Sequence, residues 1–334
     1  MSRTLAGAVL NAYVGEMDDT PAFLDSGRPG VPDIAVPRGV TPFYLPRRPV
    51  RGRLIRLGPL ADALLGRHHH ETPVTHLVGQ ALALVAALAS ALKFNGSFSL
   101  QIKGDGPVRL LLADCTDTGA LRGYAQVIPE RLADLLAAKP EPTTTDLLGA
   151  GFMAFTVDQG PDTERHQGIV TLTGESLEQM ALHYFETSEQ TPCFLRLACA
   201  KTANGWRASA LILERIAGHG GIDPDLDAAA QDESWGTALV LAHTIKDSEL
   251  LDDTLSADRL LYNLFGSEGV AADRPRPLTY GCRCSRARLA DVLATFGADD
   301  IAHMETDGVI VMTCEFCNYD FNFTRADIAI PLPN

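Results

Sequence analysis

Positive charge is scarce in this sequence. Lys and Arg number 28 against 42 Asp and Glu, a formal net charge of −14. Phosphate backbones are bound through basic surface, so this balance argues against nucleic acid as the main partner. Phosphate-cradling loops are also missing. Gly104–Gly106 (GDG) leads into neither G-x-G-x-x-G nor G-K-[ST], and no helix begins there, which predicts a hairpin turn. The opening MSRTLAGAVLNAYVGEMDD has one Arg and a short apolar run soon met by acids, without the apolar stretch and cleavage site of a secretory leader. Long apolar runs are few. Val74–Leu92 could span a bilayer by length. It carries His76, Gln80, Ser90 and six alanines, which predicts a buried core helix and no membrane partner. The seven cysteines are odd in number. With no leader, that fits a reducing, cytoplasmic setting in which clustered cysteines bind metal or do redox chemistry.

What is present bounds the fold. A chain of 334 residues suggests two domains, and a hydrophobic content of 46% is ample for a core. Residues 1–47 are expected to be an irregular extension, since the stretch Asp25–Pro49 carries six prolines and little periodicity. Residues 48–218 read as an α+β core domain. RGRLIRLG alternates as a strand, and LADALLGRH is a short helix. The run His68–His70 is expected in a solvated loop. Thr72 is expected to cap the core helix, with Pro73 in its first position. SFSLQIKGDGPVRLLLADCTDTGALRGYAQV holds three alternating runs divided by GDG and TDTG, a meander of hairpins. A short helix near Leu147, strands in GFMAFTVDQ and HQGIVTLTG, an amphipathic helix over Glu175–Ser188, and strands in PCFLRLACAK and WRASALILERI follow. Helices and strands do not alternate strictly, which favours a mixed sheet with packed helices over a doubly wound one.

Residues 219–270 form an acidic helical linker, with eleven acids and two bases. Its helices each show one apolar face, with Ser256 expected as an N-cap and Gly266 as a stop. Alone they are marginal in water and must lie on something.

The last segment, 271–330, holds Cys282 and Cys284 as C-x-C, then Cys314 and Cys317 as C-x-x-C after 29 intervening residues. Ser285 is expected to cap a helix ending at Gly297, Asp299–Met304 to form a second, and strands to flank the C-x-x-C. Two close cysteine pairs at this separation point to one zinc held by four thiolates. No other ligand type stands in a suitable place, so the site should be closed, with no position for substrate. Cys115, Cys193 and Cys199 sit among apolar neighbours and are expected as buried thiols. A structural zinc ribbon, a nucleic-acid-binding ribbon and a thiol oxidoreductase using Cys314 and Cys317 are the competing readings. Against the second, residues 270–334 carry six Arg and no Lys beside nine acids. Against the third, the pair is expected on a hairpin knuckle, not at a helix N-terminus where a thiol is activated.

Several segments together resemble one known family, the 33-kDa heat-shock protein, a redox-regulated bacterial holdase chaperone. They are the C-x-C…C-x-x-C cluster with C-S-R at its start and C-x-x-C-N-x-x-x-x-F at its end, LQIKGDGPVRLL, RGYAQV, HQGIVTLTG, YFETSEQTP and LLYNLFG. The resemblance covers residues 48 to 330. It implies no enzymatic activity and one zinc bound by Cys282, Cys284, Cys314 and Cys317 in the reduced, inactive state. It further implies oxidation to disulfides Cys282–Cys284 and Cys314–Cys317 with zinc release, loss of the linker's docking, ATP-independent binding of unfolding client proteins, and a homodimer when oxidised.

Overall fold

The computed structural model describes residues 32–46, 48–159, 166–216 and 227–328. Most of the expected N-terminal extension and the start of the expected linker lie outside these. The chain divides into two compact units, one of Asp33–Asp158 with Arg165–Gly281 and one whose described part is almost entirely 282–328.

The first unit is built on one 11-stranded sheet. In chain order its strands are β1 (Ala35–Tyr44), β2 (Val50–Arg56), β3 (Ser97–Gly104), β4 (Val108–Thr116), β5 (Ala120–Val127), β6 (Gly151–Asp158), β7 (His166–Thr171), β8 (Cys193–Thr202), β9 (Gly205–Arg215), β10 (Ala271–Ala272) and β11 (Arg276–Tyr280). They lie side by side as β7-β6-β3-β4-β5-β11-β1-β2-β9-β8, with β10 on β1. All pairs are antiparallel except β11 with β5, so the sheet is mixed. The expected meander is β3, β4 and β5, with Phe98 opposite Cys115 and Cys115 opposite Leu121. Gly104 and Gly106 lie where any Cβ would collide with the backbone of Leu147 and Leu148, so the GDG turn is packed too tightly for a side chain.

Helices α1 (Pro59–Leu65), α2 (Thr72–Ala89), α3 (Pro129–Ala138), α4 (Thr144–Leu148) and α5 (Leu177–Tyr184) complete the larger core. The apolar helix α2 is long enough to cross a membrane by length and composition, but 78% of it is buried inside the fold. Leu77, Leu82 and Leu84 lie in one core with Leu100, Leu111 and Ile212. Because side chains alternate along a strand, the same sheet feeds two cores. On β9, Ala210 and Ile212 face the α2 core, whereas Leu211 and Leu213 enter a second cluster. That second cluster is closed by α6 (Ala228–Ala242), α7 (Asp247–Leu250) and α8 (Ala257–Phe265), through Trp235, Leu250, Leu260 and Phe265. Phe265 stacks on Phe43 of β1 at 5.5 Å. The acidic helices therefore lie on the sheet.

Their acids meet arginines of the sheet and its loops. Arg196 pairs with Asp247 at 2.6 Å, Arg207 with Asp253 at 2.7 Å, Arg215 with Asp232 at 2.6 Å, Arg38 with Asp258 at 2.7 Å and Arg48 with Glu268 at 3.4 Å. Arg56 donates to the carbonyls of Glu249 (2.8 Å), Asp252 (3.2 Å) and Leu255. Exposed pairs contribute little each, about 0–1 kcal/mol. Apolar burial supplies most of the docking, and the arginines set its register.

The structure corrects several expectations. Residues 35–44 are not irregular: they form β1, inside the sheet between β11 and β2. Prolines 37 and 42 misled the sequence argument: Pro37 sits where the ladder is bulged, between Val36 and Val40, and Pro42 pairs in register with Arg53 of β2. Residues 271–281 were expected with the cysteines but pair as β10 and β11 with β1 and β5, so the second unit begins at Cys282. The cap of α2 is Glu71, with Thr72 and Pro73 as the first two helical residues, and α2 ends at Ala89. The helix expected over Glu175–Ser188 is α5 from Leu177, capped by Ser176, followed by a π-helical turn over Phe185–Glu189. Ser256 caps α8 as expected, but Gly266 is right-handed (φ −61°). The left-handed glycine is Gly269 (φ 75°), one 3-10 turn later.

Candidate metal centre

The second unit contains α9 (Arg286–Ala294), α10 (Ala298–Met304) and a three-stranded sheet of β12 (Glu305–Thr306), β13 (Val309–Cys314) and β14 (Tyr319–Phe323). Ser285 starts α9 by accepting from the Arg288 amide at 3.1 Å. This cap fixes the chain direction just after Cys282 and Cys284. Cys314 is the last residue of β13, and the knuckle Cys314–Cys317 turns the chain into β14. Asn318 makes the turn possible: it sits at φ 50° and its amide donates to the Cys314 carbonyl at 2.7 Å. Asn tolerates this left-handed backbone better than most residues. Leu293, Ile301, Ile310 and Phe323 are fully buried within this unit's short elements.

All four cysteines are buried, and their sulfurs lie within 4.8 Å of one another. Cys282 is 3.4 Å from Cys284 and 3.7 Å from Cys314, and Cys284 is 3.5 Å from Cys317. A disulfide would need about 2.05 Å, so these are reduced sulfurs in contact. Four thiolates around zinc at about 2.3 Å in a tetrahedron stand about 3.8 Å apart, and the observed spacings match. Charge gives the same answer. Hydrogen bonding with Cys284, Cys314 and Cys317 lowers the pKa of Cys282. Hydrogen bonds to Cys282, with burial and its charge adding, raise the other three. Four thiolates this close repel one another, so all four can be ionised together only with a multivalent positive charge among them. The donor set is all sulfur, which suits zinc.

This is the only such cluster among the described residues. His303 is not part of it: its Nδ1 lies 2.6 Å from the Asp299 carbonyl on α10. The run His68–His70 forms no metal cluster, and it is less solvated than expected. His68 and His70 stack at 5.4 Å, and Nε2 of His70 is buried without a hydrogen-bond partner. Cys115 and Cys199 are buried and Cys193 half-buried. Burial pushes the thiols of Cys193 and Cys199 up to about 12, so they stay protonated. The arginines that meet the acidic helices were not anticipated. The one signal available was an acidic amphipathic segment in a chain whose few cations include many strand arginines.

The fold and site together define a mixed α+β sheet protein whose small second unit gathers four buried cysteines that could hold one metal ion. Comparison with known proteins names the family. The model for "Hsp33 protein" matches residues 39–324. The chain is 40% identical over 284 residues to a "33 kDa chaperonin" of Caulobacter vibrioides, covering 84% of this chain and 92% of that one. It is 34% identical over 287 residues to a "33 kDa chaperonin" of Proteus mirabilis, covering 86% and 93%. This chain belongs to the Hsp33 family, a family of chaperones. The fold is also that of the crystal structure of the Hsp33 homologue of Thermotoga maritima, with a TM-score of 0.68 at 19% identity over 87% of this chain and 96% of that one. The family match begins inside β1, where the sequence alone suggested an extension.

Proposed function

We propose that this chain is an ATP-independent holdase, silent when reduced and activated by oxidation of Cys282, Cys284, Cys314 and Cys317. The observation that carries this is the gathering of four buried sulfurs at metal-site spacing in a member of a chaperone family. When bound, zinc supplies the positive charge that keeps all four sulfurs ionised and clips the module together. Thiolates are the form that oxidants attack. Cys282 with Cys284, and Cys314 with Cys317, each form one disulfide. Each pair loses two electrons to the oxidant, and peroxide is reduced to water or hypochlorite to chloride and water. No thiolate then remains to hold the metal, which leaves, and the module unfolds. The linker helices α6–α8 then leave the sheet, and the apolar faces released on both sides hold unfolding clients. The oxidised protein works as a homodimer in the cytoplasm, without enzymatic turnover.

The test is suppression of aggregation of a thermally unfolded client by reduced, zinc-loaded protein and by oxidised protein. Only the oxidised form should protect. Equal protection by both would sink the proposal, and turnover of a disulfide substrate would favour an oxidoreductase instead.

A further inference from the structure

A cavity of about 400 Å³ at the end of the β1–β2 hairpin is lined by Arg48, Arg51, Arg53 and Arg276, with Asp273 as its one lining acid. In a chain with a formal net charge of −14, three arginines not spent on the acidic helices, Arg51, Arg53 and Arg276, around one cavity run against the composition. Their neutralisation is incomplete. Arg51 and Arg53 share one carboxylate, Glu214, at 2.8 and 3.1 Å. Arg53 is 5% exposed, and its Nη1 makes no well-aligned hydrogen bond. Arg48 is held by Ser234 at 2.7 Å and Glu268 at 3.4 Å. Arg276 is exposed and has no ion pair among the described residues. Ser90 and Ala91, just past the C-terminus of α2, also line the cavity and bring the negative end of a helix dipole, about half a charge. Arg51, Arg53 and Arg276 set against Glu214, Asp273 and that half charge still leave the cavity positive. Burial lowers the pKa of Arg53, Glu214 opposes this, and Arg51 and Arg276 add to the lowering, so the arginines repel one another across the space. Tyr44, paired with Arg51 across the hairpin, supplies an aromatic wall. The volume is that of a small-molecule site.

We propose that this cavity binds a small phosphate-bearing anion, whose oxygens take the fork-shaped donors of Arg51, Arg53 and Arg276. Binding is distinct from hydrolysis, since the cavity offers no phosphate-cradling loop. The site rests on the sheet unit alone and does not depend on the chaperone reading.

The experiment is calorimetric titration of the reduced, zinc-loaded full chain with inorganic pyrophosphate and, separately, with ADP, with metal content measured before and after. Saturable binding to one site, weakened by salt, is expected. Arg276→Ala and Arg51→Ala should each weaken it by about tenfold or more, and Arg276→Lys by less. Both alanine variants change exposed side chains, and their melting temperatures should stay near that of the unaltered protein. Tighter binding of ADP than of pyrophosphate brings the aromatic wall into the site, and equal binding assigns it to phosphate alone; either supports the proposal. No saturable binding of either compound, binding accompanied by loss of metal, or affinity unchanged in both alanine variants overturns it.

Discussion

Residues 33–281 bury Leu82, Leu84, Leu100 and Ile212 on one side of a wide sheet and Leu211, Leu213, Trp235 and Phe265 on the other. Residues 282–328 have a few buried apolar side chains and four sulfurs within 4.8 Å. Both units are folded, but they can lose their shape for different reasons. The first depends on apolar area, which no single small molecule can withdraw. On the proposed reading, the second depends on metal–sulfur bonds that chelation or oxidation would remove at once. The cysteines show the same contrast. Burial pushes Cys199 up to about 12 and leaves it inert, whereas hydrogen bonding with three neighbouring cysteines lowers Cys282. A thiol's neighbours, more than its burial, decide its chemistry.

The largest effect should come from the metal. Structural zinc contributes about 10–16 kcal/mol, against about 5–15 kcal/mol for a whole domain. Chelation, or Cys282→Ser, should therefore speed hydrogen exchange throughout 309–323 while amides of β8 and β9 stay protected. Cys199→Ala should leave metal content unchanged. Uniform loss of protection in both units would erase the contrast.

Next in size is the seat of the acidic helices. Phe265→Ala removes a fully buried ring stacked on Phe43 and should cost about 3–5 kcal/mol. Limited proteolysis should then cut within 228–265 in reduced, zinc-loaded protein, and client protection should appear without oxidant. Arg207→Ala should act in the same direction but more weakly, about 1–3 kcal/mol. It strands Asp253, which is itself part-exposed at 39%. Protease resistance equal to that of the unaltered chain in both variants would mean that these helices are held by something other than the sheet face.

The smallest effect is a pH dependence confined to the sheet unit. Burial, with His68 and His69 adding repulsion, lowers the pKa of His70 to about 4. The unfolded chain binds that proton below about pH 6.5 and the folded one only below about 4. Unfolding therefore takes up a proton in this window, so the stability present above pH 6.5 declines as pH falls towards 4. Partial solvent contact keeps the effect on the order of 1 kcal/mol. His70→Gln should flatten the urea midpoint between pH 6.5 and 4, and an unchanged slope would refute the assignment.

The gathering of the four cysteines was legible because it is written in spacing: two cysteine pairs, no competing ligand type, and Ser285 and Asn318 shaping the turns beside them. Most strands were legible too, since alternation is a local property. Strand β1 was not, because prolines 37 and 42 hide it and its partners β2 and β11 are set by contacts that sequence patterning does not report. The unit boundary slipped for the same reason. Residues 276–280 look like the approach to the cysteines, yet they pair with β5, more than a hundred and fifty residues earlier in the chain.

By itself the sequence established the cysteine cluster, the buried character of the long apolar helix and the acidity of the segment after the core. Each depends on residue type and short-range spacing. Only the tertiary structure decided where that acidic segment lies, which arginines receive it, and that Arg51, Arg53 and Arg276 line one cavity. Those outcomes rest on strand order and register, which bring together residues far apart in the chain.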